Sequence, residues 1–354
     1  MYESLGLDLE PRQAAILLGL ILGLAFGGLA EVTRFCFRRA VAGPKGERGS
    51  AAAVWLTALA AAVVGVQIAV SRGLISFDDH RFLSADLPWL AIALGGLMFG
   101  AGMVLTRGCV SRLTVLAGSG NLRAVLVLVT FAIVAHATLK GVLAPIRTTL
   151  GSVTVPLGSA ALPGPAVIWV ALVVAVAAFA VWRYTTSKRD IALGLLIGLV
   201  AVAGWVGTGF VLYDDFDPIA FESLSFTLPS AETLFWGVAS TAVPAGFGTG
   251  LIGGVLVGAL ALSLISGRFA WQSFESPAQT GRYLSGAVLM GVGGVLAGGC
   301  TVGAGLSGVP TLSVAALLAI FSIGVGGIVT ARFIGDGSSS TAAATATPQG
   351  LPAE

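Results

Sequence analysis

Apolar residues in this chain come in blocks about as long as the ~20 residues a helix needs to cross a bilayer, and short charged strips part them. The blocks are Ala14–Leu29, Ala51–Val70, Trp89–Leu105, Ala124–Leu143, Ala166–Trp182, Ile191–Phe210, Leu251–Ser266, Leu284–Ala297 and Leu312–Thr330, with a shorter tenth at Thr233–Val243. The pattern predicts an all-α integral membrane protein of about nine transmembrane helices. The shorter blocks are too short to span.

Composition agrees. Of 354 residues, 56% are hydrophobic and only 10% charged, and mean hydropathy is +0.95. A soluble domain carries roughly a quarter charged residues, so this chain lacks the polar surface to clothe a water-soluble body. Nothing in it points to a nucleic-acid partner; its expected surroundings are the lipid bilayer of a bacterial inner membrane, crossed many times. Residues 1–13 carry Glu3, Asp8 and Glu10 where a cleaved signal would be basic, so the first apolar block is expected to be a resident helix. Residues 335–354, rich in Ser, Thr, Ala, Gly and Pro, read as a disordered tail.

The net charge of +2 matters less than its placement. Basic strips lie at Arg34–Arg48, Arg183–Arg189 and Arg268–Arg282, and mainly acidic connections at Asp78–Asp86 and Asp214–Glu232. The positive-inside tendency puts the first set in the cytoplasm and the second outside.

Beneath the apolar blocks lies a repeat. A shift of 73 residues aligns Phe26/Phe99, Gly27/Gly100, Thr33/Thr106, Arg34/Arg107, Cys36/Cys109 and Arg39/Arg112. A shift of 191 aligns Gly95/Gly286, Gly100/Gly291, Gly102/Gly293, Gly108/Gly299 and Cys109/Cys300. All three cysteines of the chain thus fall in one register, just beyond a glycine-bearing apolar helix. A weaker fourth copy, Trp236–Gly250, has glycine near the cysteine position. Glycine lets membrane helices pack closely and permits irregular backbone at membrane depth when protein buries it or it lines a cavity. Duplicated repeats with broken helices point to a transporter's site. Four re-entrant loops are therefore expected at Thr33–Arg39, Arg107–Gly120, Pro244–Gly250 and Gly298–Pro310. Two pseudo-symmetric repeats, 14–150 and 166–334, are expected to flank a connecting loop at 151–165.

Three cysteines cannot form a complete disulfide framework, and no C-x-x-C is present. The two histidines, His80 and His136, are not at metal-ligand spacing to a cysteine. Loose G-x-G spacings in the glycine-rich stretches lack the strand, crossover and acidic residue of a dinucleotide fold, so no cofactor is expected. A buried thiol is ordinarily a small packing group, but recurrence at one position argues for a shared role. A thiol is a weak donor and a polarisable contact, suited to a large, soft sulfur atom. Three of them along a pore would give a series of shallow sites, which conduction requires.

Arg34 and Arg107, two residues before a cysteine, are candidates for attracting an anion, helped by backbone N–H groups at the starts of the re-entrant helices. Arg39 and Arg112 fit equally with snorkelling from helix ends. Glu31 reads as the structural partner of an arginine, and His136 and Lys140 as packing or interface residues. The candidate pathway set is Cys36, Cys109, Cys300, Arg34, Arg107, Gly108, Gly299 and Thr301.

The segments TRFCFRRA (33–40), TRGCVSRL (106–113) and GGCTVGAGLSG (298–308) resemble the YeeE/YedE membrane proteins, transporters of sulfur-containing anions and of thiosulfate above all. The likeness extends over most of 14–331. It implies a pseudo-symmetric helical fold with loops plunging toward the membrane centre, and Cys36, Cys109 and Cys300 marking the path. It also implies a separate TusA-type sulfurtransferase on the cytoplasmic side. Some relatives are linked to selenium, so a selenium compound is an alternative solute.

The expectation is an importer and not an enzyme, since no covalent step is required. Moving a dianion into a cell against ~100 mV costs roughly 4.6 kcal/mol, a thousandfold or more in concentration. With no ATP-binding motif and few acidic residues in the apolar blocks, consumption inside by a sulfurtransferase is the favoured driving force. A membrane thiol-redox enzyme and a non-transporting docking subunit for a sulfur-transfer protein are the readings from other classes.

Overall fold

The computed structural model describes residues 10–78, 80–184, 187–214 and 218–342, with backbone alone over 335–342. In chain order the helices are α1 (Pro11–Thr33), α2 (Phe37–Ala42), α3 (Lys45–Ser71), α4 (Trp89–Leu105), α5 (Val110–Gly118), α6 (Leu122–Lys140), α7 (Ala144–Gly151), α8 (Ala166–Tyr184), α9 (Lys188–Val206), α10 (Thr227–Val238), α11 (Phe247–Ile265), α12 (Pro277–Leu296) and α13 (Val314–Ala342). A π-helix covers Thr301–Gly308. The only sheet among the described residues pairs β1 (Asp86–Leu87) with β2 (Val155–Pro156), antiparallel.

This is an all-α membrane protein: among the described residues, nine spans are helical, long and apolar enough to cross a bilayer. Each of the nine apolar blocks falls on one of them. The tenth block falls largely on α10, whose 12 residues reach only about 18 Å at 1.5 Å per residue. The last helix runs eight residues into the segment 335–354; the remainder of that segment and residues 1–9 lie outside the described residues.

Helices here cannot gain from leaving water, so close van der Waals approach must hold them together. The α1–α11 crossing shows how. Gly19, Gly23 and Gly27 on α1 face Gly250, Gly254 and Gly258 on α11, and a Cβ on any of them would collide with a backbone carbonyl oxygen of the other helix. Around this crossing, α3 packs on α9, α4 on α12 and α13, and α12 on α6. α8 packs on α3 at the periphery and leaves Val167, Ile168, Phe179 and Trp182 exposed, an apolar surface suited to lipid.

Candidate solute pathway

The three cysteines sit in one recurring piece of backbone. Each is preceded two residues earlier by a left-handed turn: Arg34 (φ 53°), Arg107 (φ 60°) and Gly298 (φ 72°). That turn stops the incoming helix by letting its last carbonyls find partners, as Phe35 N–H does with Ala30 O at 3.2 Å. The chain then extends through the cysteine and a new helix starts on its carbonyl: Cys36 O accepts from Arg39 N–H (3.2 Å), Cys109 O from Leu113 N–H (2.9 Å) and Cys300 O from Ala304 N–H (2.8 Å). Every cysteine is thus the N-cap of a short helix. Arginine in the left-handed region costs about 1–2 kcal/mol, so at Arg34 and Arg107 the turn is held by its surroundings.

The thiols are buried and free. Cys36 and Cys109 are direct side-chain neighbours. The Cys109 sulfur lies 3.2 Å from Ser111 Oγ and beside Thr301. The Thr301 hydroxyl is fully buried and completes no hydrogen bond among the described residues. One residue back, Cys300 accepts the Gly303 N–H at 3.3 Å. Gly108 and Gly299 are buried immediately before their cysteines. Thr106 Oγ1 donates to Gly108 O at 2.9 Å, or to Gly102 O at the same distance. Cys36, Cys109, Cys300, Gly108, Gly299 and Thr301 therefore form one buried constellation.

Arg34 and Arg107 do not join it. Both side chains are exposed and make no hydrogen bond or ion pair among the described residues. The guanidiniums whose charge reaches the thiols are Arg112, acting on Cys36 and Cys109, and Arg81, acting on Cys300. Arg112 is held by Ala30 O (3.2 Å) and Glu31 (3.4 Å), and Glu31 also faces Arg268 at 3.8 Å. Arg39 pairs with Glu47 at 2.9 Å. His136 stacks on Phe235, centroids 3.7 Å apart.

The family follows from the sequence of this region and its surroundings. A model of the sulphur transport family matches residues 32–329, from just before the first cysteine turn to the middle of α13. The chain belongs to that family, YeeE/YedE. Two relatives of this sulphur-transport protein are named thiosulfate transporter TsuA. The one from Spirochaeta thermophila is 25% identical over 317 residues, covering 85% of this chain and 93% of the relative. The one from Escherichia coli is 26% identical over 322 residues, covering 82% and 86%.

In this sulphur-transport protein the cavity nearest Cys300 is built by residues that no motif marked. About 720 Å³ in volume, it is lined by Asp78, His80, Arg81, Glu222, Ser225 and Gly303 among others. Its walls are pinned by polar bonds: Thr208 Oγ1 donates to Glu222 O (2.7 Å), Ser223 Oγ to Ala201 O (2.6 Å) and Ser307 Oγ to Leu224 O (2.7 Å). Burial, then the adjacent Arg81 charge, pull the His80 imidazole down to about 4, so it is neutral near pH 7.

The expected fourth loop also differs. Gly246 caps α11, a full-length helix, instead of a short one. The short helix in this half before α11 is α10, which packs on α11, α6 and α12.

Proposed function

We propose that this protein carries thiosulfate, or a similar small sulfur anion, inward across the bacterial inner membrane along Cys300, Thr301, Cys109 and Cys36. The observation that carries this reading is the continuity of that buried constellation. It lies between a polar cavity beside Arg81 at one end and the Arg112–Glu31–Arg268 cluster at the other. Thr301, buried beside Cys109, can turn its hydroxyl to a passing oxyanion, and thiols offer weak, polarisable contacts to sulfur. The names of the two relatives support thiosulfate as the solute.

The positive-inside tendency of the basic strips supports a cytoplasmic position for the Arg112 end, with Arg34 and Arg107 exposed beside it. There those two arginines form a basic mouth that a TusA-type sulfurtransferase can approach. The halves act as pseudo-symmetric repeats. Exchanging α1 with α9, α2 with α10, α3 with α11, α4 with α12, α5 with the π-helix and α6 with α13 turns the packing pairs among these elements into pairs that also exist, with α7 and α8 outside the exchange. Thus α1–α11 becomes α9–α3, and α4–α13 becomes α12–α6.

The test is growth on thiosulfate as sole sulfur source in a host lacking sulfate uptake, with Cys36→Ala, Cys109→Ala and Cys300→Ala at matched membrane levels. Growth of the wild type and its loss in the variants is the expected result. Growth indifferent to all three would return the thiols to packing. Growth on selenium compounds alone would move the solute to that class.

A further inference from the structure

Glu222 is out of place for an anion carrier. It lies on the stretch before α10 and lines both the cavity beside Arg81 and a second one shared with Arg12, Lys140 and Glu232. Arg81 stands in the first cavity, packed over Phe82 at 4.9 Å, close enough to Glu222 for their charges to interact and a neighbour of Cys300. Yet the two form no ion pair among the described residues. A guanidinium facing open cavity, with a carboxylate near but not on it, leaves room for an anion between them.

We propose that Arg81 is the group that first receives the anion, and that Glu222 is its built-in competitor, a carboxylate that must be protonated before a dianion settles beside it. While Glu222 is ionised it satisfies the Arg81 charge at a distance and repels the incoming solute. Protonation removes one negative charge from the wall and leaves Arg81 uncompensated. No bond is made or broken apart from the O–H of the carboxyl, whose proton comes from hydronium or a protonated buffer in the surrounding solution.

Burial, reinforced by the neighbouring carboxylate of Glu232 and opposed by Arg81, lifts the Glu222 carboxyl to about 7, so the exchange falls in the working range of a cell. The other charged groups facing it are accounted for. His80 is neutral across this range. Asp78 faces it on the Arg81 side, and Arg12 and Lys140 on the far side. Glu232 is itself raised by burial and adds to the same repulsion. The apolar blocks offered no site for a proton; the site lies on a connection between them.

The inference rests on the reading of this protein as a thiosulfate carrier, and equilibrium binding separates the two. Thiosulfate is titrated against the purified full-length protein from pH 6 to pH 8, with Trp205 in the cavity wall contributing to the fluorescence readout. Binding limited to the protonated form weakens about tenfold across that window, since apparent affinity scales with the competent fraction. Glu222→Gln is expected to bind with no pH dependence, and Arg81→Gln to lose binding at every pH. Wild-type binding without pH dependence, or unchanged in Arg81→Gln, would overturn the inference and leave carriage through the thiols standing. Absence of both binding and cellular uptake in the wild type would overturn the thiosulfate reading itself. Should Arg81→Gln fail to fold, the Glu222→Gln profile decides alone.

Discussion

Arg112 on α5 reaches Glu31 at the end of α1, Nη1 to Oε2 3.4 Å, across 81 positions of sequence. The pair ties the helix that follows Cys109 to the helix that precedes Cys36, and both side chains are largely buried.

Breaking a buried pair from one side strands a charge, at about 3–5 kcal/mol. Glu31→Ala leaves Arg112 and Arg268 facing each other and is expected to lower the thermal midpoint in detergent clearly. Glu31→Ala combined with Arg112→Ala should cost less than the sum of the two single changes. A double-mutant cycle measures this, and strict additivity would mean the two side chains do not interact.

At the α1–α11 crossing, Gly23→Ala sets a methyl group against Leu251 O. Helices forced apart at their main mutual contact should respond with a lower yield of folded protein and a lower thermal midpoint. Gly253→Ala is the control on α11, because a Cβ there meets nothing within 4 Å. Equal behaviour of the two variants would remove close packing as the reason for these glycines.

Arg34→Gly and Arg107→Gly separate charge from backbone at the cysteine turns. Glycine accepts the left-handed conformation without penalty, so each change removes a guanidinium while relaxing the turn. Stability should hold or rise slightly. Uptake should fall a few-fold at low salt and less at high salt, in line with the ~0.2–1 kcal/mol of an exposed charge. Salt-independent uptake at wild-type level would remove both arginines from the pathway.

The raised carboxyl of Glu222 has a consequence for the ligand-free protein as well. Its folded value of about 7 lies above the ordinary 4.5, so the folded state holds a proton that the unfolded chain has released. The associated stability is fully present below about pH 4.5 and is lost as pH rises through 7. Wild-type protein should therefore lose thermal midpoint between pH 5 and pH 8 relative to Glu222→Gln. A wild-type curve parallel to that of the variant would show that the carboxyl titrates normally.

The sequence announced most of the helices and the cysteine turns, because both are written locally. A helix that must face lipid shows as an apolar block, and a helix start shows as a small residue after a stop such as T-R-x-C. Cys36, Cys109 and Cys300 were legible for that reason, as was Glu31 as an arginine's partner. The cavity was not. Arg81 and Glu222 lie on opposite sides of the chain's midpoint, in connections without periodicity, and only the packing of α3 on α9 brings those connections together. Ser223 and Ser225 carry no cysteine or glycine to mark them, whereas Gly246 stands in a glycine-rich stretch that imitates the cysteine register. Arg34 and Arg107 drew notice by standing next to thiols in sequence; the left-handed turn that places them there also points their side chains away.

The glycine seam between α1 and α11 bears on how the molecule is made. α1 is made long before α11, the helix that carries the groove that fits it. During that interval its carbonyl-lined, side-chain-poor face has only lipid or an insertion factor to rest against. A helix early in the chain thus waits for a partner made late, and assembly of this protein should hinge on keeping α1 from pairing with a wrong neighbour in that interval.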